Sequence, residues 1–204
     1  MKKIFDMENP FMRTLSALAD LIVLNLLTLL CFLPVITAGA ALTALNSCCI
    51  RLIRQEDDSL LRDYFRAFRL NFKKATLLWL LFLLAAGLTY FDYLAALAYV
   101  PQFRVVIFAV ALILLAIAFY AFALLSRYEN TIGETIKNAV KLAVGYFPRT
   151  LGMLVFAVAF WFACIHWFSF GSLILLLVGL SLPVCLCVGL LDSVFKKIET
   201  DSHL

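Results

Sequence analysis

From Leu15 to Ile50 the chain is almost uninterruptedly apolar, and further apolar runs follow at 75–97, 105–125, 150–168 and 171–191. Read as one helix, the first run would reach about 54 Å at 1.5 Å per residue. A bilayer core is only about 30 Å thick, so this run is either one very tilted helix or two spans. Pro34 divides it, because proline removes a backbone donor and biases Leu33 away from helix. Division there predicts spans at 15–33 and 35–53, a hairpin that returns the chain to the side carrying Arg51 and Arg54. The pattern therefore predicts an all-α bundle of six transmembrane spans. The A-x-A form at Ala38-Gly39-Ala40 raises signal cleavage. The preceding apolar run exceeds an ordinary h-region of about 7–15 residues, and Asp6 and Glu8 sit in the n-region, so no cleavage is expected.

Between the second and third runs the period changes. Over Ser59–Lys74, Arg62, Arg66, Arg69 and Lys73 recur on one helical face, and Leu61, Phe65, Phe68 and Phe72 follow the same spacing one position earlier. Leu60 and Tyr64 broaden the apolar side. A basic, Phe-rich helix between spans is expected in the headgroup layer, rings in the acyl boundary and guanidinium groups toward anionic lipid. A weaker amphipathic stretch covers 131–147. Ala67-Phe68-Arg69-Leu70 resembles Ala139-Val140-Lys141-Leu142, and each stretch leads into a span, a faint sign of internal duplication.

Composition supports lipid as the solvent. Hydrophobic residues make up 65% and charged residues 15%, against about 45–50% and about 25% in soluble domains. The net charge of +4 does not call for nucleic acid, since the basic residues sit where cytoplasmic loops are expected. With six spans and both termini inside, sixteen of the seventeen Lys and Arg fall on the inner side, leaving only Arg104 outside. Five spans with an outer N-terminus would misplace Lys2, Lys3 and Arg13 as well. The expected location is a bacterial plasma membrane, with the bilayer as the first partner.

Polar groups inside spans are costly and mark candidate sites. Asp20, Asn25 and Asn46 form the nucleus of a possible ligand site, against interhelical hydrogen bonding as the plainer reading of the two asparagines. Asp92 and His166 lie among aromatic residues at span ends, and Asp192 precedes Lys196 and Lys197. Gly39, Thr43 and Ser47 recur at i, i+4, i+8, a small-residue face for close helix packing. The six cysteines lie in apolar segments without ligand spacing and read as buried thiols; no metal or cofactor is expected. No hydrolase, metalloprotease or phosphate-loop motif occurs, so the chain is not read as an enzyme.

Three blocks resemble the YesL family of bacterial membrane proteins. They are Asn9-Pro10-Phe11-Met12-Arg13 with Ala19-Asp20-Leu21, Asn25 and Leu33–Leu45; Asp63–Thr76; and, more loosely, Lys137-Asn138-Ala139 with Pro148-Arg149-Thr150. Ala38 departs from the larger aliphatic residue expected between Thr37 and Gly39. The family has no established activity and no defined binding residues. Its members occur mostly in Gram-positive bacteria, often encoded near carbohydrate ABC-transport systems and their sensor kinases. The resemblance therefore implies an accessory or regulatory partner of sugar uptake. The residue pattern itself offers the surface, Arg62, Phe65, Arg66, Phe68, Arg69, Phe72 and Lys73, for lipid or for transporter or kinase subunits. The alternative is a stand-alone solute or lipid transporter using Asp20, Asn25 and Asn46.

Overall fold

The computed structural model describes residues 10–54, 59–166 and 177–201. The described residues are helical apart from short turns, and no strand occurs among them. The helices are α1 (Pro10–Phe32), α2 (Ala38–Arg54), α3 (Leu60–Tyr99), α4 (Arg104–Arg127), α5 (Ile132–Gly145), α6 (Phe147–His166) and α7 (Ser181–Asp201). By length and composition α1 to α4 can each cross a membrane, and the bent pair α5–α6 passes the same test together. The protein is an all-helical membrane protein. The predicted span 171–191 lies partly outside the described residues; its described part holds a turn at Gly179-Leu180 before α7 begins.

Pro34 acts as its chemistry requires. α1 ends at Phe32, a 3₁₀ turn covers Val35–Thr37, and α2 starts at Ala38. The Thr37 hydroxyl donates to the Cys31 carbonyl and lies 2.8 Å from the Pro34 carbonyl, closing the turn onto the end of α1. The Trp79 indole N–H of α3 donates to the Val35 carbonyl at 2.8 Å. The Val35 carbonyl, which already accepts from the Ala38 N–H, thus fills its second acceptor site from a neighbouring helix.

The predicted amphipathic segment 59–74 and the predicted span 75–97 are not separate elements. They form the 40-residue helix α3. No glycine or proline occurs between Leu60 and Ala86, so nothing in the backbone stops the helix at Lys74. At 1.5 Å per residue α3 is about 60 Å long, roughly twice the hydrocarbon core. Its two halves take different neighbours. Against the first half lies α2, antiparallel, with Arg51 paired to Asp63 at 3.0 Å near one end and Gly39 against Ala75 and Trp79 near the other. Against the second half lies α4, where the Trp79 and Phe82 rings meet Phe122.

Two apolar clusters form the core. One joins Ala40, Ala75 and Leu78 to Tyr120–Leu125, with Ala139, Ala143 and Met153 from α5 and α6. The other joins Leu24, Ala44, Leu45, Cys48 and Cys49 to Tyr64, Ala67, Val184 and Val188. Small residues dominate the buried face of α2, which lets the neighbouring helices approach it closely. The free thiols of Cys48 and Cys49 serve there as small apolar fillers.

A right-angle elbow does occur, but at the second amphipathic stretch. The α5 axis and the Phe147–Phe160 part of α6 meet at 95°. α5 opens with a capping box: the Glu134 N–H donates to Thr131 Oγ1, and the Glu134 carboxylate accepts from the Thr131 N–H at 3.0 Å. That backbone N–H, followed by the Thr131 hydroxyl, holds the Glu134 carboxyl below its ordinary pKa. A depressed carboxylate contributes its stabilisation above its unfolded pKa and loses it as pH falls through the lower folded value. Hydrogen-exchange protection of the first turn of α5 should therefore hold from neutral pH to about 4.3 and fall only in stronger acid. Thr131→Ala should remove about 1 kcal/mol of α5 stability, and Glu134→Gln, which removes the titrating carboxyl, should abolish that acid dependence. An unchanged acid profile in the glutamine variant would show that the cap is not its source.

Candidate functional site

Asn25 and Asn46 are each bonded to main-chain groups. Asn25 is fully buried, and its Oδ1 accepts from the backbone N–H groups of Leu180 at 2.8 Å and Ser181 at 3.1 Å. It thereby caps the start of α7, satisfying donors that a helix N-terminus leaves without intrahelical acceptors. Asn46 donates from Nδ2 to the Leu42 carbonyl, one turn back in its own helix, at 2.8 Å. Asp20 lies five residues before Asn25, so the two project about 140° apart around α1.

Asn46 also lines an apolar groove of about 560 Å³ between α2, α4, α6 and the start of α7, with Phe119, Phe122 and Leu180 among its walls. A second groove of about 630 Å³ lies between the outer half of α3 and α4, walled by Phe82, Tyr90 and Phe108. Both contact Trp79, Leu115 and Ala118. Neither presents converging charged groups. Among the described residues no group of three or more His, Cys, Asp or Glu is placed to hold a metal ion.

The Gly39, Thr43, Ser47 face sits on α2 where α3 comes closest. Gly39 is buried, and a Cβ there would be driven into the Ala75 carbonyl and the Trp79 Cβ. Thr43 is buried and returns its hydroxyl to the Gly39 carbonyl at 2.9 Å, while Ser47 is half-buried.

The basic surface of α3 is fully formed. Tyr64, Ala67, Ala75 and Leu78 define the packed side of the helix. The Tyr64 hydroxyl donates to Thr28 Oγ1 at 3.2 Å, and Thr28 in turn donates to the Leu24 carbonyl. At 100° per residue, Arg62, Arg66, Arg69 and Lys73 centre about 180° from Tyr64. All four are exposed, and so are Phe65 and Phe72 beside them. Phe68 instead turns into the core and meets both clusters. The apolar face read from the sequence therefore divides between inward Tyr64 and Phe68 and outward Leu61, Phe65 and Phe72.

These helices are the part of the chain with a known counterpart. A family model described as a protein of unknown function, DUF624, matches residues 21–93. The match is to DUF624. That stretch takes in the second half of α1, the Pro34 turn, α2 and α3 as far as Tyr93, so the DUF624 region contains Asn25, the Gly39 contact and the basic face together. No curated protein and no solved structure matches the chain.

Sequence pattern alone missed three contacts that organise this region. The Asn25–Leu180 bond links positions 155 apart and carries no local signal. Trp79 reads as another apolar residue in a span until its indole is seen on Val35. Arg51 and Asp63 read as unrelated charges on two different helices, although the antiparallel packing of α2 on α3 brings them into an ion pair.

Proposed function

We propose that the protein is an accessory or regulatory partner of a carbohydrate uptake system of the ABC type in a bacterial plasma membrane, as its resemblance to the YesL family implies. The DUF624 match supports a shared architecture in the same region and brings no activity with it. Both termini and the Leu60 end of α3 face the cytoplasm in this reading, as the distribution of Lys and Arg favours. The observation that carries it is the outward basic face of α3. Arg62, Arg66, Arg69 and Lys73 point away from the packed side, flanked by exposed Phe65 and Phe72. Cationic side chains bordered by exposed aromatics match the composition of protein contact surfaces. A stand-alone transporter finds less support, because Asn25 is committed to the start of α7 and Asp20 points elsewhere.

A photo-crosslinking amino acid at Arg62 or Arg66, activated in native membranes and followed by mass spectrometry, tests the reading. Transporter or sensor-kinase subunits should be recovered, and the yield should fall when Arg69 and Lys73 are changed to glutamate. Recovery of lipid alone would overturn it.

A further inference from the structure

The elbow between α5 and α6 is built by hydrogen bonds rather than by a slack loop. The Tyr146 N–H donates to Leu142 O at 3.0 Å to close α5, and the N–H groups of Arg149 and Thr150 donate to Tyr146 O to open α6. The Thr150 hydroxyl donates back to the Ala143 carbonyl at 3.0 Å and lies 3.2 Å from the Tyr146 carbonyl. That leaves the buried Tyr120 phenol of α4 to donate to Thr150 Oγ1, at 2.9 Å. Lys74 Nζ donates to the Asn130 carbonyl at 3.2 Å, tying the entry to α5 onto α3. α5 packs inward through Thr135, Ala139 and Ala143.

Its outer surface has two parts. Val140 and Val144 are exposed along one flank, and Lys137 and Lys141 are exposed beside them. Around the bend, Phe147, Leu151, Val155, Val158 and Phe162 form an exposed apolar stripe down α6. Arg149 is exposed at its head, the guanidinium 5.7 Å from the centre of the Tyr146 ring. Two carboxylates are near in sequence: Glu134 is turned onto Thr131 by the capping box, and Glu129 is exposed in the connection before α5.

The exposed apolar stripe of α6 suits acyl chains, and α5 leaves it at 95°. We propose that α5 and the first turn of α6 form a docking surface for anionic phospholipid headgroups. Val140, Val144 and Phe147 enter the acyl boundary, while Lys137, Lys141 and Arg149 reach up to the phosphates. Charge complementarity selects this occupant over a zwitterionic headgroup. Continuity of the apolar flank of α5 with the stripe on α6 selects a lipid leaflet over an acidic protein.

The test uses the full chain in nanodiscs of phosphatidylcholine alone or mixed with phosphatidylglycerol. Native mass spectrometry of protein released from the mixed discs should show phosphatidylglycerol retained several-fold over phosphatidylcholine. The combined variant Lys137→Gln, Lys141→Gln, Arg149→Gln alters only exposed side chains and should lose that preference, whereas Arg104→Gln, at the far end of α4 from α5, should keep it. A nitroxide at Val144 should collide more with oxygen than with a water-soluble nickel chelate, and one at Glu134 should show the reverse. Equal lipid retention by the wild-type and triple-variant chains would overturn the proposal. So would a Val144 label as open to nickel as one at Glu134, since α5 would then stand in water.

Discussion

Replacing Gly39 with leucine should separate α2 from α3 and remove most of the folded protein from detergent extracts. The position needs a glycine for space. Even a single Cβ would collide with the Ala75 carbonyl and the Trp79 Cβ, and neither is the free end of a flexible side chain. Overpacking a well-fitted interior costs about 1–3 kcal/mol where side chains can yield, and a backbone obstacle puts leucine at or above the upper end. Gly39→Ala should lower the midpoint of thermal unfolding, and Gly39→Leu should lower it further. Gly152 provides the control: it is helical with open space around its Cβ position, so Gly152→Ala should be neutral or mildly stabilising. Equal unfolding midpoints for Gly39→Leu and the wild-type chain would refute the close approach. The same separation would disturb the Trp79 bond to Val35 one turn away, so loosening should extend to the Pro34 turn.

Asn25→Ala should be the second most damaging substitution. One carboxamide oxygen serves both backbone N–H groups at the start of α7, and the residue is wholly buried. A buried donor left without an acceptor costs about 1–3 kcal/mol, and two are exposed to that penalty here. The expected signature is local as well as global. Amide exchange at Leu180 and Ser181 should accelerate beyond the change measured across α3. If the whole chain loosened uniformly, or the two amides kept their protection, the cap would not be what holds α7.

The legible part of this architecture follows from short-range chemistry. Apolar runs of about one bilayer thickness produced α1 and α4, Pro34 marked the break before α2, and Thr131 with Glu134 opens α5 through a spacing of three residues. The division between Lys74 and Ala75 did not survive, because a change of solvent preference along a helix does not interrupt its hydrogen bonds. The bend appears instead at Tyr146, between Gly145 and Pro148, where the backbone gives a reason for it. Gly39 was visible as part of a small-residue face, but which helix would fill the gap was not. The role of Asn25 was out of reach for a different reason: its partners are main-chain groups, and every residue type offers those.

One consequence of the unbroken α3 concerns mechanics. The Gly39 contact grips it at Ala75–Trp79, leaving arms of roughly 22 Å toward Leu60 and roughly 30 Å toward Tyr99 at 1.5 Å per residue. Both arms are also held, by Arg51 and Thr28 on the first and by Phe122 on the second, so α3 is a single strut that ties the α1–α2 hairpin to α4.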